Sequence, residues 1–407
     1  MKLHQKFFLL LVLLLPVQLG RHFWPNWSYV IGLRIDYLSP TIYLTDVLVF
    51  LILFFWFADK LKTQNSKGKI TTKNLKLIFF PISIFLFLLV NSFLAKNQGT
   101  ALYKFFKILE LSFLGFYVAK NKIKLSIIHF SLSIAIIYSS LLAIAQFIRQ
   151  SSLNGIFWFL GERTFSAGTP GIAKAVVNGQ LLLRPYATFP HPNALAGFLL
   201  ISLILTVPYI YRKSKLLTAI YLLLAICVIV LTFSRSVWLV GLLIVGLTVI
   251  RSKHLRVLNY GLVFFMGEAL IQRAELNKIA LQLIRQHFFA GVGLNNFIVY
   301  LPRFWPNPNP IYLLQPVHNI YLLILAEMGI TGLLIFLYLI IKTLKNLLKI
   351  ALDPSSGRGY NWQLIISLLV ILLTGMVDHY WLTLQQTQLL LAIVLGFSWS
   401  KSAKIGS

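Results

Sequence analysis

From end to end, this 407-residue chain repeats one element, an apolar run bounded by short polar breaks. Most of the runs are long enough, at roughly 17 to 25 residues, to cross about 30 Å of hydrocarbon as a helix. About twelve spans can be drawn, near 6–22, 41–59, 76–94, 101–119, 125–148, 191–210, 215–233, 236–251, 256–271, 317–341, 363–380 and 385–400. Their conformation has to be helical, because a backbone facing lipid must satisfy its own polar groups. A closed barrel would alternate over segments of about 10 residues, whereas these runs are apolar on every face. Hydrophobic residues make up 58% of the chain and aromatic residues 14%, well beyond what a soluble core of this length needs. The expected fold is all-α, a polytopic transmembrane helical bundle forming one membrane domain over 1–407.

The net charge of +27 raises the question of nucleic acid, and the placement of the cations answers it. Lys60, Lys62, Lys67, Lys69, Lys73 and Lys76 fill one loop and Lys120, Lys122 and Lys124 another. Arg212, Lys213 and Lys215, then Arg251, Lys253 and Arg256, then Lys342, Lys345, Lys349 and Arg358 follow in alternate breaks. That is the positive-inside pattern; it puts both termini in the cytoplasm and makes the lipid bilayer, not nucleic acid, the partner of the charge. Cys227, the one cysteine, lies inside an apolar run, so no disulfide framework or thiolate metal site is expected. The N-terminal "MKLHQKFFLLLVLLLPVQLG" resembles a signal peptide but lacks a small-x-small cleavage site, and reads as a retained first span.

This topology leaves two long exterior loops, 149–190 and 272–317. The first ends in "LLLRPYATFPHPNALAGFLL", where Pro185, Pro190 and Pro192 forbid a regular helix until Asn193, a good N-cap, opens the next span. The second begins with "QRAELNKIALQLIRQHFFAGVGLNNF". Its Leu276, Ile279, Ala280, Leu283 and Ile284 recur at helical spacing, which predicts an amphipathic helix at the outer interface, stopped by Gly291 and Gly293.

A His-Asn pair then opens the apolar run "HNIYLLILAEMGITGLL". Asn319 can cap that helix and leave His318 just outside, near unpaired backbone N–H groups that favour anions. Arg235, in "LTFSRSVW", occupies a tight turn on the same outer side. An arginine there either snorkels to headgroups or holds an anionic ligand.

The order "RPYATFPHPNALAGF", "TFSRSVWLVGLL", "GVGLNNF" and "HNIYLLILAEMGITGL" resembles the O-antigen ligase and O-antigen polymerase superfamily of bacterial envelope glycan assembly, over residues 184–345. The resemblance implies a metal-independent, inverting glycosyltransferase in the bacterial cytoplasmic membrane that needs no cofactor. It would transfer a glycan from undecaprenyl diphosphate to the hydroxyl of an acceptor glycan, lipid or protein. It also implies catalysis by His318, supported by Asn319, and binding of the lipid diphosphate by Arg184, Arg235 and, less firmly matched, Arg285. Two departures stand out: Phe288 where a proline is common, and a short final external segment, "DHYWLTLQQ".

The residues support this class independently. No glycine-rich phosphate loop is present, so an exterior site needs a donor that arrives activated, and arginine forks suit a diphosphate. The ten acidic residues are scattered, so neither a divalent-metal site nor a glycosidase carboxylate pair is expected. Glu327, nine residues after His318, falls on the opposite helix face. Lys107 and Glu110 can satisfy each other, and His191 and His287 read as structural. The rival reading is a transporter or flippase of lipid-linked oligosaccharide, but no internal repeat is visible and the polar motifs gather on one side.

Overall fold

The computed structural model describes residues 1–63, 72–121, 123, 125–250, 268–304, 314–352 and 359–400, and it is mostly helical. The chain starts with α1 (Leu3–Leu13) and strands β1 (Gly20–His22), β2 (Tyr29–Val30), β3 (Leu33–Arg34) and β4 (Thr41–Tyr43). Helices α2 (Leu44–Thr63), α3 (Thr72–Leu94), α4 (Gln98–Lys120) and α5 (Leu125–Arg149) follow, then a hairpin of β5 (Lys174–Val177) and β6 (Gln180–Leu183). Next come α6 (Pro192–Lys213), α7 (Lys215–Leu231), α8 (Arg235–Ile250), α9 (Glu268–Gln286) and the single turn α10 (Phe297–Tyr300). The long α11 (Ile320–Ala351), α12 (Gly359–Gly375), the short α13 (Tyr380–Thr383) and α14 (Gln385–Ser398) complete the chain.

Among the described residues, three helices are long and apolar enough to cross a membrane: Ile128–Arg149 within α5, all of α6 and all of α11. Shorter apolar helices at Leu3–Leu13, Pro81–Leu94, Lys215–Leu231, Arg235–Gly246 and Asn361–Gly375 overlap five of the other expected spans, while 256–267 of the expected span 256–271 lies outside the described residues. The first span differs. Pro16 cannot continue a helix, and α1 ends at Leu13, so its 11 residues cover only about 16 Å at 1.5 Å per residue. The chain beyond it forms β1, which pairs antiparallel with β4, Gly20 opposite Tyr43.

The principal core is built where α1, α2, α4, α5, α6, α7, α12 and α14 bring together side chains such as Phe8, Val49, Leu114, Ala135, Phe198, Ala225, Leu368 and Leu390. Polar contacts concentrate where loops meet at one end of this bundle. There Tyr103 Oη donates to Thr41 O (3.1 Å), Asn97 Nδ2 to Trp27 O (2.7 Å) and Asn295 Nδ2 to Tyr37 O (2.8 Å).

The amphipathic helix is α9, and the apolar face read from spacing is the buried one: Leu276, Ile279, Ala280, Leu283 and Ile284. Its surroundings differ from the expectation of an interfacial helix. That face packs on Phe297, Val317, Leu323 and Ala326, so protein covers it instead of lipid.

Helix α11 is broken at Gly329 (φ 63°, ψ −169°). The segment after α9 runs through the break and takes up the freed backbone groups: Ile330 N donates to Phe288 O (2.8 Å), Val292 N to Ala326 O (2.9 Å) and Gly293 N to Glu327 O (2.9 Å). The two backbones cross so closely that a Cβ on Gly329 would lie 2.3 Å from Phe289 O, and one on Gly291 2.3 Å from Glu327 C. Only glycine fits either position. Asn91 seals the crossing from α3 by donating to Ala290 O (2.7 Å) and accepting from Leu294 N (2.9 Å). Glu327 points away from His318 and accepts from Phe297 N (3.3 Å), as its helix position implied. Lys107 and Glu110 do pair (3.1 Å), with Asp46 as a second partner at 2.6 Å.

Candidate active site

The entry to α6 is fastened from α5. Gln146 Oε1 accepts from Tyr186 N (3.0 Å) and Ala187 N (2.7 Å), which fixes the proline-rich segment after Arg184. The cap of α6 is His191, whose Nδ1 accepts from Asn193 N (3.1 Å); Pro192 takes the first helical position, where its missing N–H costs nothing. The expected cap, Asn193, is therefore one turn position inside and free for other work. Its Oδ1 accepts from Arg184 Nη2 (2.6 Å), and its Nδ2 donates to Asp378 Oδ2 (2.7 Å). Arg184 Nε also donates to Thr232 O (2.6 Å), so the same guanidinium clamps the turn after α7. Phe233 there has φ 50°, and the next helix starts at the exposed Arg235.

At the start of α11, Asn319 is the cap that its sequence position suggested. Its Oδ1 accepts from Tyr321 N (2.9 Å) and Leu322 N (3.0 Å), and its Nδ2 donates to Met376 O (2.9 Å), tying α11 to the end of α12. This places His318 against "DHYW". Its ring lies 4.9 Å, centroid to centroid, from the ring of His379. Asp378 Oδ1 accepts from His379 N (2.8 Å), and His379 Nδ1 bonds Thr383 Oγ1 (2.7 Å). The buried Nδ1 of His318 has no hydrogen-bond partner among the described residues. From α9, Arg273 Nη1 donates to Val377 O (3.3 Å).

Burial and charge together set the protonation states. Burial alone would raise the Asp378 carboxyl, but His318, His379, His191 and Arg273 outweigh it and hold the group well below the usual carboxylate range. Burial foremost pushes His191 and His379 down to about 3, with Arg184 the next cause at His191 and competition with the adjacent His318 ring for a proton the next at His379. His318 is also lowered, by burial foremost and by Arg273, with Asp378 opposing. At pH 7 the imidazoles are thus neutral, and Arg273 acts electrostatically on the Asp378 carboxylate. Burial lowers Arg184 to about 10, which leaves it charged.

Several sequence expectations are refined here. Arg184 and Arg235 are brought near enough to His318's cluster to act on it or on each other electrostatically, but Arg285 stands exposed in the last turn of α9 and enters none of the cluster's contacts described above. The residues missed were Asp378, His379 and Arg273. One signal was available: an Asp-His pair directly after an apolar run, mirroring the His-Asn pair before one. The carboxylates are scattered in sequence, yet no second carboxylate is needed for a metal-ligand group. His318, Asp378 and His379 offer ligand atoms within 4.8 Å of one another and could hold a cation. Chemically the same three groups form a neutral imidazole set beside an ionised carboxylate, an arrangement suited to accepting a proton.

The fold and these groups define a helical membrane protein with a His-Asp centre where its loops converge. Residues 194–337 match the O-antigen ligase family, and this domain supports placing the chain in the O-antigen ligase and polymerase superfamily. No curated protein matches the chain. The family points to a membrane function in ligating or polymerising glycans. His318, Arg235 and Arg273 fall inside the matched segment; Arg184, Asn193, Asp378 and His379 fall outside it.

Proposed function

We propose that this chain is a glycosyltransferase of the bacterial cytoplasmic membrane, with about twelve spans, both termini in the cytoplasm and its loop-rich end facing outward. It takes a glycan from undecaprenyl diphosphate and passes it to the hydroxyl of an acceptor. The carrying observation is that His318, neutral and with one buried nitrogen unpartnered among the described residues, stands beside ionised Asp378 at the meeting point of α6, α11 and α12.

In the proposed step, the acceptor oxygen attacks the anomeric carbon and forms the new glycosidic C–O bond. Its proton passes to His318. The bond from that carbon to the diphosphate oxygen breaks, and the lipid diphosphate leaves with the electron pair. In-line displacement inverts the anomeric centre, and no metal takes part. Arg235, with the donors of Arg184 that are not committed to Thr232 and Asn193, stabilises the leaving diphosphate; Arg273 holds Asp378 and the α12 end in place. Asn319 supports His318 by fixing the start of α11.

A transporter would use the break in α11, because discontinuous helices build substrate sites. Here backbone from the 288–293 segment takes up the groups freed at Gly329, which leaves no open ion-binding mouth at that point. The test is transfer by the purified protein from a lipid-linked donor; transport of intact lipid-linked glycan in vesicles without new glycosidic bonds would refute the reading. Orientation is checked by labelling a cysteine placed at Ser166 with an impermeant reagent in a Cys227→Ser background. The same topology expects a cysteine at Asn309 to be labelled and cysteines at Lys67 and Ser356 not to be; these three positions lie outside the described residues.

A further inference from the structure

Next to the imidazole cluster lies a polar cavity of about 170 Å³, lined by none of the residues to which the transfer step gives a role. Apart from Asn295, its lining comes from outside the matched family segment, chiefly the loop between α1 and α2, the start of α4 and the turn from α13 into α14. Its mouth is marked by Asp36 and Arg163, both exposed among the loops, and Lys104 and Gln388 line its wall.

Three features describe what it would bind. First, its cations are already engaged. Lys107 is paired with Asp46 at 2.6 Å and Glu110 at 3.1 Å, Lys104 Nζ donates to Leu382 O (2.5 Å), and Arg163 Nη2 donates to Pro190 O (2.7 Å). A diphosphate would find few uncommitted charges. Second, Gln18 lines the cavity with a buried Oε1 that has no hydrogen-bond partner among the described residues. A buried acceptor of this kind is costly unless a donor arrives to meet it. Third, the lining mixes the rings of Tyr37, Tyr43 and Tyr103 with amide, hydroxyl and carboxylate groups. Such a wall meets both the C–H faces and the hydroxyls of a sugar ring.

The cavity also shares a wall with the reacting groups. Tyr37 lines it and sets its ring edge-on to His379 at 5.6 Å, and Thr383 lines it while bonding His379 Nδ1 at 2.7 Å. His379 in turn abuts His318. We infer that this cavity is the acceptor pocket: it takes an uncharged, hydroxyl-rich sugar ring of the acceptor, entering past Asp36, and anchors it beside the Tyr37 and Thr383 wall, while the attacking hydroxyl is carried on the part of the acceptor that extends past that wall to His318. The diphosphate of the donor belongs on the Arg235 side. This assignment rests on the transferase reading, but sugar binding can be measured without turnover.

The test is saturation-transfer NMR on the full chain in nanodiscs, with methyl glycosides of hexoses and N-acetylhexosamines as probes and inorganic diphosphate as competitor. At least one glycoside should bind the wild type. Gln18→Leu should weaken that binding at least about tenfold by removing the buried acceptor, and Asp36→Asn, at an exposed position that the fold tolerates, should weaken it several-fold. Diphosphate should not compete, and Arg235→Lys should leave sugar binding unchanged. The assignment is overturned if no glycoside binds, if binding is indifferent to both cavity substitutions in folded protein, or if diphosphate displaces the sugar. A protein that binds the glycosides here yet makes no glycosidic bond would sink the transferase reading alone and leave a sugar pocket standing.

Discussion

Asn193 Nδ2 donates to Asp378 Oδ2 at 2.7 Å, joining residues 185 positions apart. A hydrogen bond to a buried charge contributes on the order of 1.5–3 kcal/mol. Asn193→Asp should therefore lower the melting temperature by setting two carboxylates against each other. The double variant N193D/D378N restores a donor and an acceptor, so its stability should recover. Transfer should stay low, because the carboxylate no longer abuts His379 and His318. Recovery of full transfer in the double variant would show that Asp378 matters only as a structural tie.

His318→Ala should fold and bind the donor lipid, yet lose about 10²–10⁴ in transfer rate, the usual worth of a positioned base. In the wild type, the working form is the neutral ring. Its pKa is lowered from 6.5 by burial, so activity should be full at pH 7 and fall only as acid crosses that lowered value. A rate profile with its acid midpoint at or above 6.5 would contradict this. Added chelator should leave the profile unchanged; loss of transfer on chelation, restored by a divalent ion, would instead assign His318, Asp378 and His379 to a metal.

Acid should also threaten the fold. His191 and His379 are pushed down to about 3 in the folded chain, whereas unfolded imidazole titrates near 6.5. Between those values the unfolded state binds more protons, so stability is greatest above about pH 6.5 and declines as pH falls toward 3. Thermal melts across pH 4 to 8 measure the slope, and a melting temperature that rises on acidification would overturn it.

Much of the helical layout was legible because continuous apolarity over a span leaves few alternatives. The buried stripe of α9 could be named from its spacing, since Leu276 through Ile284 repeat at one helical face. Asn319 was legible as a cap because it directly precedes an apolar run. Asn193 misled for a physical reason: Pro192 suits the first helical position, which moves the cap back to His191. The Asp378 partnership was hidden because it links α6, α11 and α12 across long stretches of chain. Gly329 sits in an uninterrupted apolar run, where nothing local announces that another backbone crosses it. The polar cavity draws on Gln18 and His22, residues that apolar length alone assigned to the first span.

Arg235→Lys keeps the charge but loses the planar fork that grips two phosphate oxygens. Donor affinity should fall at least about tenfold, with acceptor affinity unchanged. An arginine that merely anchors headgroups would tolerate the exchange, and unchanged donor affinity would assign it that role.

Gly329→Ala combines a positive φ with a Cβ 2.3 Å from Phe289 O. Backbone strain of this kind costs about 1–3 kcal/mol before the clash is counted. Little folded protein should survive solubilisation, and detergent gel filtration after mild heating reads that directly. A monodisperse peak at the wild-type yield would mean that the crossing can open.

The His318 cluster draws on residues 193, 273, 318 and 378–379, so Asp378 is synthesised 185 residues after the Asn193 it bonds. Because chains emerge N-terminal end first, a nascent or prematurely terminated chain can insert most of its helices while its imidazole still lacks the carboxylate beside it. The proposed centre is therefore complete only with the arrival of the α12–α14 corner. On the proposed function, a chain halted before that corner is unable to consume lipid-linked glycan.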